Sequence, residues 1–397
     1  MARRLGLGIV GCGNISTTYF SLAGLFRGIE IRACADVVPE AAAASAKQYG
    51  VRADTVDGLL AADDVDIVVN LTVPTAHHAV SRRAIDAGKH VYSEKPFVLS
   101  LKDGVDLQRR AARRGLRLGS APDTFLGGAH QLARQLIDSG KLGKITGGTC
   151  FVMSHGMEDW HPNPDFFFQP GAGPILDVGP YYIANLIQLI GPVTRVVALA
   201  ATPRRFRTIG SGPRKGERVP VGTPTTLHSV LEFAGGAVVT LAASWDVWSH
   251  GHPPIELYGE AGTLVVPDPN FFGGDLQLTR GDRPVTKLPA WNHPFSVINF
   301  KRQNGLMAAN YRGAGLADMA LSILERRPHR CALELSLHAI DVMTGILKSA
   351  ETGKFVAMQT TCERPPALGP AEARELQAPS RSQKAAPARP GRNPVKR

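Results

Sequence analysis

Along the first 120 residues, short apolar runs alternate with longer stretches in which apolar and polar positions recur at helical spacing. The runs Leu5–Val10, Ile29–Ala35, Asp66–Leu71, His90–Tyr92 and Leu116–Ser120 read as buried parallel strands. Between them, Pro39–Gln48, Ala76–Ala87 and Leu99–Arg113 predict helices, with Gly88 and Gly115 placed to cap two of them. This alternation predicts an α/β unit, a doubly wound parallel sheet, over residues 1–124. Beyond it the pattern changes. Ala129–Ser139 predicts a helix that stops at Gly140. Leu227–Phe233 and Ala237–Trp245, joined by Ala234-Gly235-Gly236, predict an antiparallel hairpin. Further strands are expected at Ile145–Met153, Val193–Ala201, Ile255–Tyr258 and Thr263–Val266, and helices at Tyr311–Glu325 and Leu335–Ala350. Residues 125–362 therefore predict an α+β domain with an open, largely antiparallel sheet. From 363 to 397 the chain has seven prolines, many Ala and Arg and no periodicity, which predicts a disordered basic tail.

Composition narrows the class. A chain of 397 residues accommodates two or three domains and a large core. The 42 glycines and 29 prolines mark many turns, yet stay below the low-complexity range of about 25–30%. No apolar run reaches the roughly 18 residues that span a bilayer, so no membrane partner is expected. Two arginines near the start precede an apolar stretch, but glycines interrupt it at once, which suits a first strand and not an export signal. Five scattered cysteines suit a reducing, cytoplasmic setting. The net charge of +11 invites a nucleic-acid reading. Much of the excess falls after residue 362, where eight Lys/Arg face three acids. The remainder has no basic stripe with interleaved aromatics, so no nucleic-acid partner is expected.

The chemistry concentrates at the ends of the predicted strands. Gly11-Cys12-Gly13-Asn14-Ile15-Ser16 follows the first strand and opens a helix. The first glycine permits the tight turn and the second lets a pyrophosphate approach the backbone, on the helix N-terminal amides. Asp36 ends the second strand about 20 residues on, where a carboxylate accepts the ribose hydroxyls of NAD. Val37 and Val38 follow it, leaving no adjacent Arg or Ser for a 2′-phosphate, so NADP is disfavoured. The segments Thr72-Val73-Pro74-Thr75-Ala76-His77-His78 and Glu94-Lys95-Pro96 leave the next strands at the same edge, where α/β sheets bind ligands. Pro96 holds Lys95 extended.

Together with Gly171-Ala172-Gly173-Pro174-Ile175-Leu176-Asp177-Val178-Gly179-Pro180-Tyr181-Tyr182, these motifs resemble the glucose-fructose oxidoreductase/inositol dehydrogenase/rhizopine catabolism (Gfo/Idh/MocA) family over residues 5–352. The resemblance implies a dinucleotide-binding first domain and a second domain whose sheet supports the substrate pocket and often builds homodimers or homotetramers. It implies that Gly11, Gly13, Asn14, Ile15, Asp36, Thr72, Pro74, His77, Glu94, Lys95 and Asp123 border the cofactor, with Thr124 beside Asp123. Lys95 matches the lysine that contacts substrate and nicotinamide, and Asp177 the acid of an Asp-x-Gly-x-His motif. Tyr181 stands where most members carry a catalytic histidine, a departure from the family pattern.

The residues themselves suit alcohol oxidation. Removing a hydroxyl proton as hydride departs requires a base, and a free phenol, with a pKa of about 10, is a poor one. A neighbouring ammonium such as Lys95 lowers it. Tyr181 is otherwise a packed aromatic at a helix start. Ser154–Pro170 holds four aromatics, two histidines and three acids, and Trp160 and His161 are expected on a pocket wall. In Trp245-Asp246-x-Trp248-x-His250-x-His252 a period-2 histidine pair is too little for a metal, and ordinary strand and loop positions are expected. Arg312 is placed either at the pocket mouth or in solvent. These observations predict an NAD(H)-dependent oxidoreductase acting on a secondary hydroxyl of a sugar, glycoside or cyclic polyol, with Lys95, Asp177 and Tyr181 handling the proton. A hydrolase or lyase with transient internal oxidation, and a catalytically silent sugar sensor, are the alternatives.

Overall fold

The computed structural model describes residues 3–379, apart from 162, 290, 303 and 304. The first sheet is built from β1 (Leu5–Val10), β2 (Ile29–Ala35), β3 (Arg52–Asp54), β4 (Ile67–Asn70), β5 (His90–Ser93) and β6 (Leu118–Ser120). They run parallel in the order β3-β2-β1-β4-β5-β6. Every residue of β1 and β4 is buried, because helices cover both faces, and this is why those strands are apolar without alternation. The helices are α1 (Ser16–Leu22), α2 (Pro39–Tyr49), α3 (Val56–Ala61), α4 (His77–Asp86) and α5 (Leu101–Arg113). Ser100 caps α5 by accepting the Asp103 amide at 3.1 Å. Strand order reverses between β1 and β4, so the loops leaving these strands part and open a crevice at the C-terminal edge. β3 is missing from the sequence reading because it has three residues and none is buried.

The second sheet follows α6 (Gly128–Asp138). It comprises β7 (Ile145–Met153), β8 (Val193–Ala201), β11 (Thr226–Phe233), β12 (Val238–Ser244), β13 (Ile255–Gly259), β14 (Gly262–Val266), β15 (Gln277–Thr279), β16 (Thr286–Lys287) and β19 (Val356–Ala357), in the order β16-β15-β14-β13-β7-β12-β11-β8-β19. Pairing is antiparallel except between β7 and β12. Two small ribbons, β9 (Phe206–Thr208) with β10 (Arg218–Pro220) and β17 (Phe300–Lys301) with β18 (Met307–Ala308), stand outside it. One face is covered by α8 (Gly179–Ile190) and α10 (Leu333–Thr352). α8 is apolar nearly all round and almost wholly buried, as a helix without a polar face must be.

The two sheets share one hydrophobic core. α9 (Ala314–Glu325) and α10 return to pack on β6 and α5 of the first unit. Asp123, just after β6, fastens this return: its Oδ2 accepts the amides of Gly313 at 2.8 Å and Gly315 at 3.0 Å, at the start of α9. The carboxylate is 2% exposed and faces these amides, not the crevice, which corrects the expectation that it borders the cofactor.

The tail also needs correction. Residues 363–379 are docked, and the rest of the expected disordered segment lies outside the described residues. Leu368 is fully buried and donates its amide to Gln131 Oε1 at 2.7 Å. α11 (Pro370–Leu376) buries Ala373 and Leu376, and Arg27 and Ala378 exchange backbone hydrogen bonds with Leu376 and Leu25. Averaged over 35 residues, these few apolar anchors vanish among Pro, Ala and Arg.

Two predictions follow from this packing. Leu368→Ala should lower the free energy of unfolding by about 2–5 kcal/mol, the usual cost of such a cavity, measured by urea denaturation. A loss near zero would mean that the segment does not dock in solution. For Asp123, burial raises the pKa to about 6, against the opposing pull of the Gly315 and Gly313 amides and Arg312. The folded chain therefore holds the proton more tightly than the unfolded chain, whose carboxyl titrates near 3.9. Its contribution is greatest below about pH 4 and falls, by up to about 3 kcal/mol, as pH rises through about 6. Asp123→Asn should remove that decline, read as the difference between stability–pH curves from pH 4 to 7; parallel curves would refute it.

Candidate active site

The crevice begins at the turn after β1. Gly11 has φ +102°, and a Cβ there would lie 2.7 Å from the Leu71 carbonyl, so only glycine fits between the ends of β1 and β4. Gly13 is the opposite case: no heavy atom lies within 4 Å of where its Cβ would be. Among the described residues, the amides of Gly13, Asn14 and Ile15 donate to no protein acceptor. Asp36, at the end of β2, is held by the amides of Cys12 at 2.7 Å and Val38 at 2.9 Å. An open space, free amides and a fixed carboxylate are what a pyrophosphate and a ribose diol require, so these residues fit a dinucleotide.

The facing rim comes from β4 and β5. Thr72 and Pro74 are half-buried there, Thr72 Oγ1 donating to Asn70 Oδ1 at 2.7 Å. His77 does not reach the crevice. It has no exposed surface, and its ring nitrogens lie 2.7 Å from the Pro96 carbonyl and 2.9 Å from that of Thr72. Burial holds its pKa below the usual value while the two carbonyls oppose the shift. His77 thus ties the segment after β4 to that after β5, a correction of its expected cofactor contact. Glu94 is also nearly buried, accepting the Tyr19 hydroxyl at 2.9 Å and the Lys95 amide at 3.0 Å.

Lys95 reaches across to the second unit. Its Nζ donates to Asp177 Oδ1 at 2.8 Å and to the Asp177 carbonyl at 2.9 Å. Asp177 ends α7 (Pro174–Asp177), the short helix that the glycine-rich segment turns into before α8. Tyr181, in the first turn of α8, has the Lys95 Nζ 5.4 Å and the Arg312 Cζ 5.8 Å from its ring centroid. Arg312 is anchored on Asn270 Oδ1 at 2.8 Å, the Asn270 carbonyl at 3.0 Å and Asn310 Oδ1 at 3.2 Å. It stands beside Tyr181 and not out in solvent. Burial would pull the Lys95 ammonium down in pKa, but Asp177, Tyr181 and Glu94 outweigh it and the net shift is upward.

These groups open into a cleft of about 630 Å³ also lined by Phe151, Trp160 and Phe167 and by Asp268, Asn270 and Arg302. Trp160 lines it as expected, half of its surface exposed. His161 does not. Its ring packs edge-on against Trp160, Phe166 and Phe167, and its Nδ1 accepts the Asn163 amide. The wall is braced by Arg207, 1% exposed, which donates to Glu158 Oε1 at 2.7 Å and to Asp246 Oδ1. The hydroxyls of Thr225 and Thr226 complete Asp246. Sequence reading missed Arg207, Asp268, Asn270 and Arg302. None sits in a motif, and Pro267-Asp268-Pro269-Asn270 reads simply as a turn. Trp245 is buried in a small second core with Met157, Phe168, Ile209 and Val219, and His252 stacks on Phe151. Among the described residues, no group of three or more His, Cys, Asp or Glu is placed to hold a metal ion, and no helix is long and apolar enough to cross a membrane.

Comparison with known proteins follows the same division. A family model described as an oxidoreductase family with an NAD-binding Rossmann fold matches residues 5–121, and one described as a GFO/IDH/MocA C-terminal domain matches residues 130–265. Levoglucosan dehydrogenase of Pseudarthrobacter phenanthrenivorans is 26% identical over 333 residues, which cover 74% of this chain and 82% of that one. An uncharacterised oxidoreductase of Schizosaccharomyces pombe is 27% identical over 208 residues, 48% of this chain, and the match spans only 55% of that relative's length. A solved structure of levoglucosan dehydrogenase in its apo form superposes with a TM-score of 0.77 at 20% identity, over 91% of this chain and all of the other, a likeness of fold.

Proposed function

Because this chain belongs to the Gfo/Idh/MocA family of oxidoreductases and carries its NAD-binding Rossmann domain, we propose that it oxidises a secondary hydroxyl of a sugar, glycoside or cyclic polyol, or reduces the corresponding ketone. The observation that carries this reading is the convergence of Lys95, Asp177 and Tyr181 in one cleft, at the edge of the sheet that holds Gly13 and Asp36. NAD, when bound, supplies the hydride acceptor. Lys95, Tyr181 and their neighbours manage the proton.

Lys95 stays an ammonium and therefore is not the base. Two of its three N–H donors go to Asp177, which leaves one for a substrate oxygen. Tyr181 is the proton acceptor. Two cations stand near its ring, the Lys95 Nζ 5.4 Å and the Arg312 Cζ 5.8 Å from the centroid. Asp177 aims Lys95. The cleft combines the aromatic faces of Phe151, Trp160 and Phe167 with the polar side chains of Asp268, Asn270 and Arg302, which suits a ring with apolar C–H faces and hydroxyl edges. Levoglucosan dehydrogenase, similar over most of its length, supports a sugar substrate. A panel of sugars and polyols supplied with NAD, followed by the absorbance of reduced nicotinamide, tests the reading; no reduction with any of them would overturn it.

Two predictions follow. Tyr181→Phe keeps the ring and removes the titratable hydroxyl, so turnover should fall about 10²–10⁴-fold while NAD affinity and melting temperature stay near wild type. Lys95→Ala should also lose turnover, and the double variant should lose less than the product of the two, because the groups act together. Near-normal turnover in Tyr181→Phe would reduce the tyrosine to packing. The second concerns the cofactor. NAD(H) should bind more tightly than NADP(H) in titration calorimetry, since Asp36 repels a 2′-phosphate, and Asp36→Ala should narrow the gap. Equal or tighter binding of NADP(H) to the wild type would contradict this assignment.

A further inference from the structure

The lining of the cleft carries a polar pair that the proton chemistry does not use. Asp268 lies in the turn after β14, and Arg302 follows β17. Asp268 Oδ1 is fully engaged, accepting the Tyr182 hydroxyl at 3.0 Å and the Asn270 amide at 2.9 Å. Its Oδ2 accepts no hydrogen bond among the described residues. Arg302 lies over the Phe271 ring, its Cζ 4.0 Å from the centroid, and its guanidinium N–H groups find no protein acceptor among the described residues. Both side chains line the same cleft, and the charge of Arg302 acts on Asp268. Even so, no N···O contact within 4 Å joins them.

Elsewhere in this chain a carboxylate and a guanidinium close into an ion pair, as Arg207 does with Glu158 and Asp246. Here each is braced from behind and left open towards the cleft. Burial raises the Asp268 carboxyl in pKa, against the opposing pull of the Asn270 amide, the Tyr182 hydroxyl and the Arg302 charge. A sugar ring offers a donor for Asp268 and, one carbon away, an oxygen for the arginine fork. The same turn also bears Asn270, which anchors the Arg312 beside Tyr181.

We propose that Asp268 and Arg302 form a clamp for a vicinal pair of hydroxyls, Asp268 Oδ2 accepting from one and Arg302 donating to the oxygen of its neighbour. The clamp selects which secondary hydroxyl of the ring lies against Tyr181. It rests on the reading of the substrate as a sugar or polyol and adds the two residues that set its orientation.

The test uses the full chain with NAD, with levoglucosan, D-xylose and myo-inositol as probes, together with monodeoxy analogues of whichever of these is oxidised. Asp268→Asn and Arg302→Ala should each raise KM about 10–100-fold, the loss expected for one hydrogen bond to a charged group, with kcat changed less than about threefold. Arg302→Lys, which keeps the charge and loses the fork, should fall between. Wild type should penalise the absence of one adjacent pair of hydroxyls more than about tenfold, and the variants should lose that penalty at the same positions. Melting temperature and NADH affinity, measured on every variant, should match wild type. If Asp268→Asn does not fold, the two arginine variants decide the matter. Unchanged KM and unchanged deoxy penalties, with NADH still formed, would overturn the clamp and leave the dehydrogenase reading intact. A fall in kcat at constant KM would also overturn it. Absence of both NADH formation and calorimetric sugar binding to the NADH-loaded wild type would overturn the clamp together with the function on which it rests.

Discussion

The contact on which this site depends is the ion pair between Lys95 and Asp177. One partner comes from the end of β5 and the other from α7, so the pair spans the two units of the chain. Both groups are mostly withdrawn from water, and a charge so placed tolerates neither solvent distance nor a missing partner. The pair therefore fixes the separation between the edge of the parallel sheet and the start of α8, and the cleft is the space that remains. Asp123, on the amides that open α9, does the same for the return of the C-terminal helices to β6. With both fastenings in place, Tyr181 and the cofactor edge belong to one rigid frame.

That frame sets the surroundings of Tyr181, the proposed proton acceptor. An imidazole with a pKa near 6.5 needs little help to accept a proton at neutral pH, whereas a phenol near 10 needs stabilisation of its anion. Two cations stand near the Tyr181 ring, Lys95 Nζ at 5.4 Å and Arg312 Cζ at 5.8 Å from its centroid, and they are held differently. Lys95 is aimed by a carboxylate, which reduces its local excess charge. Arg312 is held by the neutral oxygens of Asn270 and Asn310. On the proposed chemistry, the tyrosine that stands in place of the family histidine has beside it an arginine held by hydrogen bonds to neutral oxygens.

Much of the fold was legible because burial leaves a direct trace in sequence. β1 and β4 are apolar without interruption because both their faces are covered, and Gly11 is glycine because a carbonyl occupies the position of its Cβ. The illegible parts share another cause. A motif places a residue at a strand edge without saying which way its side chain turns, and this is how His77 and Asp123 were assigned to the cofactor while both point into the protein. Trp160 and His161 are adjacent, yet only one faces the cleft. Arg207, Asp268 and Arg302 lie in segments that meet only after the second sheet has formed, so no local pattern announces them. The docked segment at 363–379 was hidden by averaging: two leucines and an alanine suffice to seat it where a pocket awaits them.

These failures point to a division of labour in the site. The groups that sequence reading found are those whose chemistry is tied to a fixed backbone feature: a glycine turn, a strand end, a helix start. Of the groups it missed, Asp268, Asn270 and Arg302 lie on loops, where position is free to vary while the frame is kept. On the proposed chemistry, the first set handles hydride and proton and must hold its geometry to a fraction of an ångström. The second set touches the substrate away from the reacting carbon, where a change alters what is bound without altering the reaction. Asp268 and Arg302 belong to this second set by location, and their unspent hydrogen-bonding capacity, next to a Lys95–Asp177 pair that keeps a single Lys95 N–H free, marks the point where the frame ends and substrate recognition begins.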